Sequence, residues 1–192
     1  MYRKSIGILA VIPAFFLGLS AAHAAESYQV DPIHSMIHFR VKHFGVGYIY
    51  GRFNEFSGNF NVDDGNLANA SFDLQIKAES IDSNNQGRDK HLKNPDFFNT
   101  VEFPTINFKS TQVKEVDANN VEVTGDLTMH GVTKPVTMKM ERIGAGKDPR
   151  GSMRMGWESI FDIKRSDFGM KSMLQGIGDD VRCIVAIEGV RK

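Results

Sequence analysis

Apolar and polar residues alternate with a period of two from Tyr28 to the end of the chain. The run at 71–79 shows this best, because Phe72, Leu74 and Ile76 are apolar while the residues between them are polar or charged. Such spacing is typical of strands with one buried and one solvated face. Comparable runs occupy 37–41, 56–62, 103–111, 121–129, 136–140, 153–164 and 181–190. The sequence therefore predicts about eight strands.

This pattern indicates an all-β fold. Such strands either close into a barrel or stack as a sandwich, because exposed sheet edges invite aggregation, and we expect an extended antiparallel eight-stranded β-barrel. The stretch 82–94 is polar and lacks alternation, so we expect a short helix there, with Asp82 or Ser83 as its N-cap. Residues 165–169 are expected to form a second single turn, which gives one or two short helices. The interior of such a barrel is either filled by side chains or holds one small ligand.

The first 24 residues are predicted to be a signal peptide, which leaves residues 25–192 as one β-barrel domain. Arg3 and Lys4 precede an apolar run at 6–19, and Ala22-His23-Ala24 matches a small-x-small cleavage site. The run is too short to span a bilayer, which takes roughly 20 apolar residues. We therefore expect cleavage after Ala24, export from the cytoplasm and no stable membrane span after cleavage.

Composition and charge exclude one class of partner. Removal of Arg3 and Lys4 leaves 21 basic and 23 acidic residues, a net charge of −2. Nucleic acid is not an expected partner, because phosphate binding needs a concentrated basic surface. The single cysteine, Cys183, cannot form an internal disulfide, and its position on the apolar phase predicts a buried and unreactive thiol.

Ordered motifs along the chain resemble the YceI-like family, from about Tyr28 to Val190. They are Asp31-Pro32-Ile33-His34-Ser35, Gly51-Arg52-Phe53, Arg88-Asp89-Lys90-His91-Leu92, Asp96-Phe97-Phe98, Gly125-Asp126-Leu127-Thr128, Gly131–Val136 and Asp167-Phe168-Gly169. The resemblance implies a lipocalin-like barrel with a long hydrophobic tunnel that takes up polyisoprenoid or another long-chain amphiphile. It also implies a location in the periplasm.

The apolar residues of the alternating runs are expected to point inward and to form the wall of this tunnel, where a ligand would bind. The predicted lining residues are Ile37, Phe39, Val41, His43, Phe56, Phe60, Phe72, Leu74, Ile76, Phe108, Leu127, Met129, Met138, Met140, Met155, Trp157, Phe161 and Val185. Methionines suit an adaptable apolar wall, but they also serve as ordinary gap-fillers in cores. Trp157 would narrow the tunnel.

A compact basic group lies in the predicted helix. Arg88, Lys90 and His91 are candidates to meet an anionic headgroup at the tunnel entrance, since charge-assisted hydrogen bonds are stronger than neutral ones. The alternative is a solvated helix face, which is the common role of charges on short helices.

Other chemistry has weaker support in the sequence. His34, His38 and His43 are close along the chain, but four residues of strand span about 13 Å, too far for His34 and His38 to share one ion. No nucleophile or zinc-protease motif occurs, so we expect a non-enzymatic binding protein without a cofactor. Two alternatives remain open: a filled-barrel stress-response or partner-binding module without lipid, and a periplasmic metal-binding protein. A homodimer also stays open.

Overall fold

The computed structural model describes residues 25–192, and the predicted signal peptide lies outside the described residues. Eleven strands, one α-helix and three 3-10 helices occur in this range. The strands are β1 (Glu26–Val30), β2 (Met36–His43), β3 (Gly47–Phe53), β4 (Phe56–Val62), β5 (Ser71–Lys77), β6 (Ile81–Asp82), β7 (Thr105–Glu115), β8 (Asn120–Met129), β9 (Val132–Lys147), β10 (Met153–Lys164) and β11 (Ile177–Arg191). The helix α1 spans Gln86–Leu92, and the 3-10 helices span Leu67–Asn69, Ala78–Ser80 and Arg165–Phe168.

Eight strands close into an antiparallel barrel, in the order β1-β4-β5-β7-β8-β9-β10-β11 and back to β1. Tyr28 of β1 lies opposite Phe60 of β4 on one side and opposite Arg191 of β11 on the other. The closed ring leaves no free edge within it, which is the physical advantage of a barrel. The predicted all-β, eight-stranded barrel is confirmed.

The remaining strands extend one end of the barrel. The long strand β11 pairs with β1 through its last residues and with β2 through residues 177–186, so β1 and β2 form one interrupted strand. β3 pairs with β2 and briefly with β6. Alternation did not predict β1, β3 or β6. In β3 the outward Tyr48 and Tyr50 are large aromatic residues, so they give little contrast with the inward Ile49 between them.

A polar cluster holds the segment between β1 and β2, residues 31–35, against β11. Arg154 donates to Asp31 at 2.9 Å, to Glu188 at 2.6 Å and to Asp148 at 3.0 Å. Hydrogen bonds from His34 and then Arg154 lower the pKa of Asp31 to about 2. One guanidinium thus ties the turn after β1 to two other parts of the sheet.

The helix begins later than the sequence analysis predicted. Its N-cap is Asn85, whose side chain accepts a hydrogen bond from the backbone N–H of Arg88 at 2.9 Å. The Asp82 carboxylate instead accepts from Arg52, and the Ser83 hydroxyl donates to the Asp89 carboxylate. The predicted cap at Asp82 or Ser83 is therefore wrong, because both side chains are used elsewhere. The second turn forms as the 3-10 helix Arg165–Phe168.

Candidate functional site

The barrel interior contains a cavity beside α1, which we call the outer chamber, of about 140 Å³. Its wall comes from β2, β3, β8, β10, β11, α1 and the segments that follow α1 and β10. The lining residues are Phe39, Val41, Ile49, Phe53, Arg88, His91, Leu92, Phe97, Phe98, Met129, Ile163, Arg165, Met170, Ile177, Val181 and Cys183. Apart from Arg88, His91 and Arg165, this wall is apolar or a thiol.

A second cavity, the inner chamber, has a volume of about 100 Å³ and lies deeper in the barrel. The two chambers share a set of wall residues: Phe39, Phe53, Met129, Ile163 and Cys183. They are therefore neighbouring parts of one apolar space. The rings of Phe39 and Phe53 are 5.8 Å apart in a tilted arrangement, and both belong to the shared wall.

Local sequence explains how Phe39 takes this position. Gly51 lies directly opposite Phe39 in the β2–β3 pair, and a Cβ at Gly51 would collide with the Phe39 ring. The ring lies across the glycine, so a side chain there would push it into the cavity. The glycine of the Gly51-Arg52-Phe53 motif thus sets the width of the passage.

The far end of the barrel is filled by four aromatic rings, which we call the aromatic plug: Tyr28, Phe60, Phe72 and Trp157. Tyr28 and Phe60 stack at 5.1 Å, and Phe72 meets Trp157 edge-on at 5.5 Å. Each ring is at most 2% exposed. The hollow part of the interior therefore ends at the plug, and it is shorter than a tunnel through the whole barrel.

Most of the predicted lining residues lie on the chamber walls. Those on the inner chamber are Ile37, Phe39, Phe72, Leu74, Ile76, Phe108, Leu127, Met129, Met138, Met140, Phe161 and Val185, and Val41 lines the outer chamber. Five lie elsewhere: His43, Phe56, Phe60, Met155 and Trp157. Phe60 and Trp157 belong to the plug, Met155 is fully buried, and the His43 ring contacts Phe44.

Several wall residues were not predicted as lining. Phe53, Phe97 and Phe98 were noted only as parts of motifs, although aromatic pairs next to a short helix are a usable signal for a buried cap. Arg165 was missed altogether, because nothing in its local sequence distinguishes it from a surface arginine.

Of the three predicted headgroup cations, the structure brings two to the outer chamber. Arg88 and His91 line it, whereas Lys90 does not. Arg88 donates through Nε to the Ser83 hydroxyl at 2.7 Å, and a second nitrogen donates to the Ser83 carbonyl. His91 is 3.5 Å from Asp96, and its ring meets Phe97 edge-on.

Arg165 also lies on this wall and is only 4% exposed. Its guanidinium donates to three backbone carbonyls, of Gly178, Met170 and Ile177, at 2.8–2.9 Å. Burial lowers the pKa of Arg165, and the nearby Asp179 carboxylate partly opposes that effect. A buried guanidinium costs desolvation, so these three bonds are what make the position tenable.

Cys183 borders both chambers, which accounts for its intermediate exposure in an inward position. Desolvation raises the pKa of its thiol to about 12. The thiol is therefore protonated at neutral pH and acts as a small apolar group.

One group of metal-type side chains occurs within residues 25–192, formed by Asp31, His34 and Glu188. Their ligand atoms lie within 4.8 Å of one another. Arg154 already bonds to both carboxylates of this group, so its guanidinium supplies the positive charge there. Neither His38 nor His43 belongs to this group.

The chain is similar to known proteins along nearly its whole length. The family model described as YceI-like domain matches residues 28–189. A protein of Pseudomonas aeruginosa strain LESB58 named UPF0312 protein is 39% identical over 192 residues, which cover 100% of each chain. Among the helices of residues 25–192, none has the length and apolar character needed to cross a membrane.

Two solved structures share the fold. Burkholderia cenocepacia BcnA matches with a TM-score of 0.76 and 22% identity, covering 83% of this chain and 98% of that one. A polyisoprenoid binding domain from Saccharophagus degradans, described as implicated in plant cell wall breakdown, matches with a TM-score of 0.66 and 16% identity. It covers 87% of this chain and 99% of its own. At these identities the likeness shows the fold alone.

Proposed function

This chain belongs to the YceI-like domain family, and we propose that it is a non-catalytic periplasmic protein that holds the tail of a long-chain isoprenoid or similar amphiphile inside its barrel. The observation that carries the proposal is the pair of apolar chambers with a common wall, closed at one end by the aromatic plug. The predicted signal peptide supports the location. The polyisoprenoid binding domain of Saccharophagus degradans, which shares the fold, supports the ligand class.

The size of the chambers bears on how such a tail would enter. Each chamber is no larger than a cavity of about 150 Å³ that accepts one benzene molecule. A long tail therefore needs the wall to move, and Phe39 and Phe53 are the rings that must turn to widen the passage. Each buried CH₂ contributes about 0.8 kcal/mol, so ten carbons contribute about 8 kcal/mol towards offsetting this rearrangement and the cost of association.

The polar end of the ligand would lie among the cations of the outer chamber. Arg88 and Arg165 both lie on its wall, and each donates hydrogen bonds to the protein that fix the position of its guanidinium group. A phosphate or another anionic headgroup next to these guanidinium groups would form charge-assisted hydrogen bonds.

The first experiment asks whether the interior is occupied. Protein purified from its own host is analysed by native mass spectrometry and then extracted with organic solvent. We expect a co-purifying hydrophobe, which Cys183→Phe displaces because the new ring fills the shared wall. Ile160→Phe is the matched control, since Ile160 is 56% exposed on the adjacent strand. A bare protein mass together with no uptake of offered lipids would contradict the proposal and favour the filled-barrel module. Metal analysis of the same sample tests the metal-binding alternative.

A second experiment separates the cations. Arg88→Ala is expected to weaken binding of a prenyl phosphate by about tenfold or more, because a charge-assisted bond contributes about 1.5–3 kcal/mol. Lys90→Ala, two residues away and off the chamber wall, is expected to bind as the parent does. Equal affinity of all three proteins, with folding intact, would remove the headgroup role.

A further inference from the structure

Two loops at the α1 end of the barrel carry exposed apolar side chains, and we call them together the rim. One is the β2–β3 turn, with Phe44 63% exposed and Val46 88% exposed. The other is the segment 169–176, with Met173 50% exposed and Leu174 41% exposed. Apolar residues grouped in this way on adjacent loops mark an interaction surface more often than scattered ones do.

The two loops are held together. The backbone N–H of Phe44 donates to the carbonyl of Gly176 at 2.7 Å. The Phe44 ring also lies against this glycine, since a Cβ at Gly176 would be 2.8 Å from Cε1 of the ring. The N–H groups of Gly176 and Ile177 both donate to the Met173 carbonyl, which fixes the shape of the second loop. The four apolar side chains therefore form one surface.

The backbone at the tips places two bulky residues at positive φ. Phe44 has a φ of 45° and Gly45 a φ of 73°, and Val46 donates its N–H back to His43. This is a two-residue hairpin turn with positive φ at both central positions, where asparagine followed by glycine is favoured. A bulky residue is an outlier there, and Met173 has a φ of 54° as well. Strain of this kind at exposed positions indicates a function.

The rim adjoins the outer chamber. Ile177, which follows Gly176, and Met170, in the second loop, both line that chamber. An amphiphile moving between the chamber and its source would therefore pass this surface. This step rests on the proposed function: a long-chain amphiphile is scarce as a free molecule in water, so a bilayer would be its source.

The charges on the rim match an anionic lipid surface. Residues 42–48 and 169–176 contain Lys42 and Lys171 and no aspartate or glutamate. Neither lysine forms an ion pair with any of residues 25–192. Asp179 and Asp180, the nearest acidic residues along β11, line a groove with Lys42, and their ion pairs are with Lys164. Basic groups that flank apolar tips suit adsorption at an interface with anionic lipids.

We propose that the rim docks the protein on a lipid bilayer, with Phe44, Val46, Met173 and Leu174 entering the interfacial region and the outer chamber placed over the lipids. The area inserted is small, so the contact is reversible. This suits a protein that visits a membrane to exchange a ligand.

Vesicle flotation with phosphatidylethanolamine–phosphatidylglycerol vesicles tests the docking surface on the full chain. We expect the parent to float and the double variant Phe44→Asn, Val46→Ser to lose about tenfold or more of its partition, because binding scales with buried apolar area. Asparagine is favoured in the turn, so the variant should melt at the same temperature as the parent or higher. Val116→Ser is the control, since Val116 is 56% exposed in the β7–β8 turn near the opposite end.

Two outcomes overturn the proposal. One is unchanged flotation of the double variant. The other is a parent that does not float but sediments as a dimer, which the double variant converts to a monomer; the rim would then be a contact between two copies. A protein that floats but carries no lipid in native mass spectra would retain the docking surface while the proposed ligand function fails.

Discussion

The thiol of Cys183 provides a direct test of the interior described above. We expect it to react slowly in the folded protein with an aromatic disulfide reagent that releases a coloured thiolate. The thiolate is the reacting species, and burial raises the pKa of this thiol from 9.0 to about 12. At pH 7.5 the thiolate fraction is then about a thousandfold lower than in the unfolded chain, since each pKa unit changes it tenfold.

The nucleophilicity of the thiolate offsets part of this decrease. A thiolate with a higher pKa attacks faster, with a Brønsted coefficient of about 0.4–0.5, which over three units returns a factor of about 20–30. The net expectation is a reaction about 30–60-fold slower than in urea, before any restriction of access to the chamber is counted. A tail bound in the chambers would slow it further, because Cys183 lies on both walls.

The assay compares the release of the coloured thiolate in buffer and in urea. The matched control is Cys183→Ser combined with Ile160→Cys, which moves the single thiol to a 56% exposed position on the outer face of β10. Its folded and unfolded rates should differ little. A folded-state rate for the parent within about tenfold of its unfolded rate would refute the inward position of Cys183 and with it the assigned walls.

Two further predictions concern groups that hold the barrel together. The pKa of Asp31 lies at about 2 in the folded chain, below its ordinary value of 3.8, so its stabilising effect is complete above about pH 4 and is lost as the pH falls towards 2. The free energy of unfolding, measured in urea across that pH range, should fall in the parent and change less in Asp31→Asn. An identical dependence on pH in the two proteins would contradict the stabilising role of the Asp31 carboxylate. Arg165→Lys should lower the free energy of unfolding by about 2–4 kcal/mol, because an ammonium group cannot serve three carbonyls in the fork geometry of arginine. A loss below about 0.5 kcal/mol in urea unfolding would contradict the role given to its buried bonds.

Much of the barrel was predictable because alternation is a local property. In β5, Phe72 and Leu74 must share one face whatever the rest of the chain does, and both are buried. The same reasoning placed Met138 and Met140 inward, and both line the inner chamber. Polar composition also predicted the helix at 86–92, although not its cap.

Whether the interior is full or hollow was not predictable. Phe39 and Trp157 occupy equivalent inward positions in the sequence pattern, yet one lines a cavity and the other helps to fill the plug. The difference depends on which side chains meet across the barrel, such as Phe72 against Trp157, and these pairs are far apart along the chain. Packing at that level depends on the volumes of all neighbours together, which a period of two does not encode.

The fate of the charged residues was likewise decided by tertiary structure. Arg88 and Lys90 differ by two positions on a short helix, and only the way α1 docks determines that Arg88 reaches the chamber. Arg165 is buried because three carbonyls from the following segment converge on it. The sequence by itself determined the strands and their inward faces, since these follow from local periodicity. The hollow chambers, their cations and the exposed rim depend on long-range contacts, and only the tertiary structure decided them.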